Sequence, residues 1–492
     1  MELVDSVWLV AIGFLVAFLD AFGMGANDVS HSFGTSVGSG TLTMLQACTI
    51  AIFTEFLGAV LLGSNNAKTI SGLAKPGKFE GDPGSLMLLM VCALLGSSIW
   101  TISTAKIGLP VSSTHSISGA IVGGVLIVYG VEYVNWGFKS GVGKIAISWV
   151  TSPIIAGIVA SIIYLVTRTF VLRHKDSYRR GKIAVPFYFS FTVLVDTYLI
   201  LSHSGLSKVV DPWTQIIIAC CACFASFLFF AFLMVPWMDR RVMYDEDLKW
   251  YHLFYIFAVP HQPKRTFDIS VKDIEANTKT SMFQKAKSKV GNLVLSNVKK
   301  DINEIVVEDI DAIHDNAEKF DSKTEQLYGY VQVLTAMFAS LSHGSNDVAN
   351  AIGPLATIYN IHLSKSVSSS INVPIELLVF GGFAMDVGLF TMGYKLMAVL
   401  GKEMCFMSAS RGFAIELGVS LTVITAAASG IPVSTTQCIC GATSGVALCN
   451  GNFRALNWKL MGKILGGWII TMPIAGSISG SLFYLAKMVL EI

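Results

Sequence analysis

The chain has 492 residues, of which 53% are hydrophobic and 14% charged, with a mean hydropathy of +0.61. Soluble domains carry about 25% charged residues, so this composition excludes a soluble protein and predicts an all-α protein with many membrane spans. A net charge of +2 gives no reason to expect a nucleic-acid partner. Most of the nine cysteines lie in apolar segments without metal-type spacing to histidine. We therefore expect neither a disulfide framework nor a structural metal.

The apolar segments predict about twelve transmembrane helices, because a spanning helix needs about 20 mostly apolar residues. Seven precede a hydrophilic stretch at 239–325 and five follow it. The predicted spans are 4–24, 43–63, 85–106, 111–130, 145–171, 184–203, 213–238, 327–343, 374–400, 412–429, 432–450 and 460–489.

Basic residues in the short loops predict the orientation, because such loops face the cytoplasm. The connection "RTFVLRHKDSYRRGK" at 168–182 contains six basic residues and one aspartate. With this loop inside, both termini are extracellular and the 239–325 loop is cytoplasmic, and we expect an integral protein of the plasma membrane. The large loop mixes both charge signs. Amphipathic helices on the bilayer surface and a mobile regulatory linker both fit it.

The chain repeats itself in a fixed order. Each copy contains five apolar segments, and two additional segments separate the copies. The predicted regions are a first repeat at 1–171, two additional helices at 172–238, the hydrophilic loop at 239–325 and a second repeat at 326–492. The predicted topology gives the copies opposite orientations, as in secondary transporters that bind substrate between inverted repeats. The matching pairs are 25–38 with 344–357, 108–123 with 430–445 and 143–157 with 462–476.

Four polar motifs interrupt these apolar segments. Non-helical backbone survives at membrane depth only when it is buried in protein or lines a cavity. We therefore expect the motifs to leave regular helix and to converge on one enclosed cavity. Each repeat supplies an Asn-Asp pair and, after a proline, a hydroxyl triplet. The candidate site residues are Asn27, Asp28, Asn346 and Asp347, with the triplets Ser112, Ser113, Thr114 and Ser434, Thr435, Thr436.

The residue types in this cavity suit a cation and an oxyanion together. Helices that begin at the triplets, after Pro110 and Pro432, would direct free N–H groups towards an anion. Carboxylates, amide carbonyls and hydroxyls are ligands for a small hard cation such as Na⁺. Each ion would then raise the affinity for the other. Plainer roles remain open: Asp28 and Asp347 could be helix N-caps, and the triplets could be packing contacts between helices.

Further acids and two histidines could take part in coupling. Glu55, Glu416 and Glu376, which the repeat offset roughly aligns with Glu55, could bind ions or relay protons, or could be paired structural acids. His31 and His115 lie inside the motifs. A hydrolase that uses Ser113 and His115 is disfavoured, because residues two apart on a helix do not face each other. We predict that the protein is not an enzyme.

At these motifs the sequence resembles the inorganic phosphate transporter family, the Na⁺- or H⁺-coupled phosphate carriers. The resemblance rests on "GANDV" at 25–29, "GSNDVANA" at 344–351, "PVSSTHS" at 110–116 and "PVSTTQC" at 432–438. It implies re-entrant or broken helices, a homodimer, and secondary active import of phosphate with Na⁺ by alternating access. By position, it places phosphate and ion binding at both Asn-Asp pairs and both triplets.

The resemblance leaves the assignment of ligands to each ion open. The phosphate candidates are Asp28, Asp347, Asn346 and both triplets, whereas the Na⁺ candidates are Asn27, Asp28, Asn346, Asp347, Ser113 and Thr435. No cofactor is expected beyond Na⁺ as co-transported ion.

One departure from the repeat pattern bears on the coupling ion. The first copy has Ser30 and His31 where the second has Ala349 and Asn350. A histidine at this place favours H⁺ coupling, because its charge changes near neutral pH. An H⁺-coupled phosphate symporter therefore remains an alternative. A transporter-like phosphate sensor or receptor, in which the large loop signals, is the other.

Overall fold

The computed structural model describes residues 3–203, 209–261, 317–368, 371–393, 396–397, 401 and 403–490. Within these ranges the chain is helical, and its extended pairing is limited to two isolated bridges. The first half contains α1 Val7–Met24, α2 Ser30–Gly38, α3 Met44–Ser71, α4 Pro83–Ile107, α5 Ser113–Val128, α6 Val142–Thr167 and α7 Ser177–His203. The remainder contains α8 Pro212–Phe229, α9 Val235–Met243, α10 Ser322–Ser364, α11 Ile375–Met392, α12 Ala409–Ala428, α13 Thr435–Leu448 and α14 Trp458–Leu490.

Nine helical stretches of the described chain are long and apolar enough to cross a membrane. Two of them join neighbouring helices through a π-helical turn: α1 with α2 through Gly25–Val29, and α8 with α9 through Phe230–Met234. The other three predicted spans correspond to α5 and α13, with 16 and 14 residues, and to α10, a single helix of 43 residues. The protein is therefore an all-α membrane protein, although its helices differ more in length than the sequence predicts.

The boundaries of the predicted hydrophilic loop also shift. Helix α9 continues to Met243, a short 3₁₀ turn follows at Trp250–Tyr255, and α10 begins at Ser322. The predicted amphipathic helices fall mainly in 262–316, which lies outside the described residues.

The two short helices begin in the same way because their local sequences match. Gly108 ends α4 with a φ of +73°, and Gly430 takes a φ of +60° just after α12. Such left-handed positions favour glycine. An extended stretch then leads to Ser112 and Ser434, whose hydroxyls accept from the N–H groups of His115 and Gln437, both at 3.2 Å. These serines are the N-caps of α5 and α13.

The last long helix of each half packs against the other half. Helix α14 packs against α5, and α6 packs against α13. A Cβ atom at Gly123 would lie 2.3 Å from the Cα of Gly476, and one at Gly445 would lie 2.6 Å from the carbonyl oxygen of Gly157. The same close contact thus occurs twice, with the roles of the two halves exchanged.

Candidate functional site

The two Asn-Asp motifs remain helical, which corrects the expectation that they leave regular helix. Gly25–Val29 forms one π-helical turn between α1 and α2, and the motif at Asn346 runs through the middle of α10 without interruption. The physical reason is that continuous helix already satisfies most backbone groups at membrane depth. The extended backbone expected for the site lies instead at 109–112 and 431–434, just before α5 and α13.

Each motif asparagine completes the hydrogen bonding of one extended stretch. The N–H group of Val111 donates to Asn27 Oδ1 at 3.3 Å, and that of Val433 donates to Asn346 Oδ1 at 3.2 Å. The Nδ2 group of Asn346 also donates to the Val433 carbonyl at 2.8 Å. Buried backbone groups need such partners when they leave secondary structure. The asparagines therefore hold both stretches in place.

The third residue of each hydroxyl triplet reaches the extended stretch of the other half. Thr114 Oγ1 donates to the Val433 carbonyl at 3.1 Å, and Thr436 Oγ1 lies 3.0 Å from the Val111 carbonyl, where it can donate. The N-termini of α5 and α13 therefore face each other. All four predicted motifs lie together in one buried site.

The two aspartates lie at this meeting point with no exposed surface. Thr436 Oγ1 donates to Asp28 Oδ1 at 2.9 Å, and Thr435 Oγ1 donates to Asp347 Oδ2 at 3.1 Å. Asn346 Nδ2 is 2.7 Å from Asp347 Oδ1. Neither aspartate is an N-cap, because both lie within helical turns while Ser112 and Ser434 cap the helices.

Neutral donors surround these carboxylates, and Asp28 Oδ2 has no hydrogen-bond partner in the described part of the chain. A buried charge without a counter-charge is costly. Oxygen atoms of this kind match the ligands that a hard cation prefers, so the residues present fit a bound Na⁺.

Glu55 and Glu416 both accept from hydroxyls of α2, about one helical turn apart. Glu55 accepts from Ser32 and from Ser340, both at 3.0 Å, and Ser32 Oγ lies 2.8 Å from His343 Nδ1. Both acids are buried. Glu416 accepts from the hydroxyls of Thr35, Ser36 and Thr335, and from the amide of Gln332.

Glu376 does not join these acids. It is exposed in the first turn of α11. Its alignment with Glu55 is also wrong, because the close contact of Gly344 with Glu55 recurs as a contact of Gly25 with Met385. The structural counterpart of Glu55 is therefore Met385. The number of residues that separates equivalent positions of the two repeats is larger at α11 than at the motifs.

The two motif histidines have different surroundings. His31 Nδ1 lies 3.2 Å from Thr436 Oγ1 and 3.9 Å from Asp28 Oδ1. The His115 ring instead packs edge-on against Trp149, with ring centres 4.3 Å apart. The Ser113 hydroxyl accepts from Asn350 Nδ2 at 3.1 Å. Among these residues His31, and not His115, belongs to the aspartate site.

A wide cavity of about 1340 Å³ lies beside the C-terminal end of α2, at Gly38. Its walls include 38–42, 406–409 and the ends of the hydrophilic segment at 241–247 and 320–326. Ser39 Oγ in this wall donates to Gln332 Oε1 at 2.7 Å, and Gln332 in turn donates to Glu416. A chain of polar groups therefore leads from the cavity to Glu416.

Sequence reasoning missed several polar residues of the site. Asn350 could have been identified from the sequence, because it lies in the quoted motif "GSNDVANA". The others lie on helices whose rotation a single sequence does not reveal. The missed residues are Ser32, Thr35, Ser36, Asn66, Gln332, Thr335, Ser340, His343 and Asn350.

Comparison with known proteins gives consistent results. Residues 24–479 match the model of the phosphate transporter family. The phosphate-repressible phosphate permease pho-4 of Neurospora crassa is 33% identical, over 96% of each chain. The sodium-dependent phosphate transporter 1 of Rattus norvegicus is 26% identical, over 98% of this chain and 96% of its own. A solved structure described as the sodium-dependent phosphate transporter superposes with a TM-score of 0.76 at 26% identity, covering 98% of this chain and 100% of that one.

Proposed function

Because the chain belongs to the phosphate transporter family, we propose that it imports inorganic phosphate by symport with Na⁺ through alternating access. It is a membrane transporter and not an enzyme. The observation that carries the proposal is the meeting of two buried aspartates with the N-termini of two short helices in one enclosed site.

Phosphate binds between the N-termini of α5 and α13 in this proposal. A helix N-terminus offers N–H groups and a partial positive charge to an oxyanion. Ser112 and Ser434 fix these termini as N-caps, while Ser113, Thr114, Thr435 and Thr436 supply hydroxyl donors. The Asn346 amide lies beside them, and Asp28 and Asp347 accept from a protonated phosphate oxygen.

Na⁺ binds next to the phosphate and neutralises the aspartates. Its ligands come from Asn27, Asp28, Asn346, Asp347, Ser113 and Thr435, which all supply oxygen atoms. The unpartnered Oδ2 atom of Asp28 supports this assignment. Glu55 and Glu416 are the remaining coupling acids, because both are buried among hydroxyl donors close to the motif helix.

Alternating access requires two halves that can exchange roles. We assign them to the inverted repeats at 1–171 and 326–492, with twelve membrane crossings in total. The reciprocal contacts of Thr114 with the Val433 carbonyl and of Thr436 with the Val111 carbonyl support this pairing. In the proposed arrangement both termini are extracellular, the 239–325 segment is cytoplasmic, and the protein is a homodimer of the plasma membrane. The wide cavity is then the cytoplasmic exit.

H⁺ is the second candidate for the coupling ion, and the position of His31 favours it. Its ring nitrogen lies 3.2 Å from the Thr436 hydroxyl and 3.9 Å from Asp28. A proton on this ring would neutralise Asp28 in place of a metal cation.

Uptake of radiolabelled phosphate by the purified protein in liposomes tests the proposal. An inward Na⁺ gradient is compared with a choline gradient, each at an acidic and an alkaline pH. Na⁺ symport predicts uptake that disappears in choline at both pH values. Uptake in choline that follows an imposed pH gradient would favour H⁺ coupling, and absence of uptake under every gradient would contradict a carrier.

A further inference from the structure

A groove of about 700 Å³ lies on the outer surface of the helix bundle, with Val433 in its lining. Helices α6, α7 and α12 form its walls, from Ser148 to Val166 along α6. Eighteen residues of helix correspond to about 27 Å, close to the ~30 Å thickness of the hydrocarbon core. Ile162 and Phe191 in the walls are more than half exposed, at 56% and 55%. The groove therefore opens towards the lipid.

The lining changes character along the groove. At one end it consists of aliphatic and aromatic side chains such as Ile162, Val166 and Phe187. At the other end it contains the hydroxyl residues Thr151 and Ser429. These two hydroxyls donate to the carbonyls of Ile147 and Thr425, so a polar head group at this end needs a donor from a neighbouring residue.

A cation lies at the polar mouth. Lys144 is one helical turn before Ser148, and its Nζ atom donates to the Gly430 carbonyl at 2.6 Å, between Ser429 and Ile431 of the groove wall. An ammonium group has three N–H donors, so two remain for a ligand. Helix α6 begins at Val142, and the positive end of its dipole therefore lies at the same mouth.

We propose that this groove binds one acyl chain of an anionic glycerophospholipid, whose phosphate head group lies against Lys144. The apolar walls accommodate the chain within the hydrocarbon core, and the ammonium group attracts a lipid with net negative charge more strongly than a zwitterionic one. The proposal is independent of which ion drives transport.

The floor of the groove touches the back of the transport site. Val433 lines the groove, and its backbone holds Asn346 and Thr114 on the opposite side. Ser148 also lines it, and its hydroxyl lies 2.9 Å from the Pro432 carbonyl. A bound acyl chain therefore packs directly behind the extended stretch that precedes α13.

Photo-crosslinking in liposomes tests this site with two probes, phosphatidylglycerol and phosphatidylcholine that carry a diazirine on one acyl chain. We expect phosphatidylglycerol to label peptides from 148–166 and 417–433 at least threefold more strongly than phosphatidylcholine. Val159→Trp fills the groove and should remove most of this labelling. Ile158→Trp places the same bulk on an exposed neighbouring position outside the groove lining and should leave it unchanged.

Two further variants isolate the charge. Lys144→Gln should abolish the preference for phosphatidylglycerol, whereas Lys144→Arg should retain it. Equal labelling by both lipids, or labelling that Val159→Trp does not reduce, would overturn the proposal. So would disulfide crosslinking of two copies of the chain through cysteines placed at Ile155 and Phe191, because a second copy would then cover the groove.

Discussion

The hydroxyl of Thr436 donates to the carboxylate of Asp28 at 2.9 Å, although the two residues are 408 positions apart. Asp28 belongs to the first Asn-Asp motif and Thr436 to the second hydroxyl triplet. One hydrogen bond thus connects the first repeat to the helix that begins in the second. Any movement of one half against the other must change this contact, so it lies where ion binding and conformational change can be coupled.

Replacing either aspartate should remove transport. Asp28→Asn and Asp347→Asn each delete a buried negative charge but retain a similar shape. We expect phosphate uptake in liposomes to fall at least a hundredfold, because the site loses a cation ligand and its charge balance. The thermal unfolding temperature in detergent should remain close to that of the parent protein.

Asp5→Asn serves as the control for these variants, because Asp5 is exposed near the N-terminus and pairs with Lys365. Exposed ion pairs contribute little to stability. We expect normal uptake from this variant. Normal uptake by both Asp28→Asn and Asp347→Asn would remove the aspartates from the site.

Thr436→Val should impair uptake more than Thr114→Val. Thr114→Val loses a bond to the Val433 carbonyl, whereas Thr436→Val removes a hydroxyl that donates to the Asp28 carboxylate and also lies 3.0 Å from the Val111 carbonyl. A buried group left without its partner costs about 1–3 kcal/mol, and more when it is charged. We therefore expect a tenfold or larger loss for Thr436→Val and a smaller one for Thr114→Val. Initial uptake rates over a range of phosphate concentrations measure the difference, and equal losses would contradict it.

The convergence of the four motifs was predictable from the sequence, whereas the course of the helices through them was not. The duplicated motifs identify Asp28, Asp347 and both triplets. Such polar residues are costly at membrane depth unless they face a polar cavity or a binding site. The structure places all of these residues together. A glycine-rich motif does not always break a helix. Gly344 lies within α10, and the absence of a Cβ there lets the backbone of Glu55 come close.

The pairing of Glu376 with Glu55 failed for a related reason. A repeat offset taken from the motifs assumes that intervening loops have equal lengths. The offset between Glu55 and Met385 is 330, whereas the motif glycines Gly25 and Gly344 differ by 319. An apolar segment also does not show how its helix is rotated about its own axis. The hydroxyl partners of Glu55 and Glu416 therefore could not be found from the sequence alone.

Glu55→Gln and Glu376→Gln should therefore differ. Glu55 is buried and accepts from Ser32 and Ser340, so its neutral replacement should raise the Na⁺ concentration for half-maximal uptake several-fold. Glu376 is exposed at the start of α11, and its replacement should leave the Na⁺ dependence unchanged. Uptake measured over a series of Na⁺ concentrations at fixed ionic strength compares the two. A Na⁺ dependence altered by Glu376→Gln alone would reverse the assignment.

Gly123→Ala should destabilise the contact of α5 with α14, and Gly445→Ala should destabilise the contact of α13 with α6. An added Cβ would lie 2.3 Å from Gly476 or 2.6 Å from Gly157, so backbone must move. Overpacking of this kind costs about 1–3 kcal/mol. We expect a lower unfolding temperature for both variants. Gly466→Ala in α14 is the matched control, because nothing lies within 4 Å of its new Cβ. A similar destabilisation by all three would rule out helix contact as the cause.

The first part of the hydrophilic segment should detach from α9 in acid. Burial alone would raise the pKa of Glu246, but hydrogen bonds and charge from Arg240 and His261 hold this pKa below the usual 4.5. Arg240 also donates to the carbonyls of Ile256, Val259 and Pro260, so the Arg240–Glu246 pair fixes the segment.

A lowered carboxyl pKa stabilises the folded arrangement above the ordinary pKa, and this stabilisation disappears as the pH falls through the lowered value. Hydrogen exchange of 245–261, corrected for intrinsic rates, should therefore be slow at neutral pH and should accelerate below about pH 4.5. Glu246→Gln should give at least tenfold faster exchange already at neutral pH, because it leaves the Arg240 charge buried without its partner. Glu318→Gln breaks the more exposed pair with Arg173 and should leave exchange of 245–261 unchanged. Unchanged exchange in Glu246→Gln would mean that the carbonyl contacts of Arg240 hold the segment without the carboxylate.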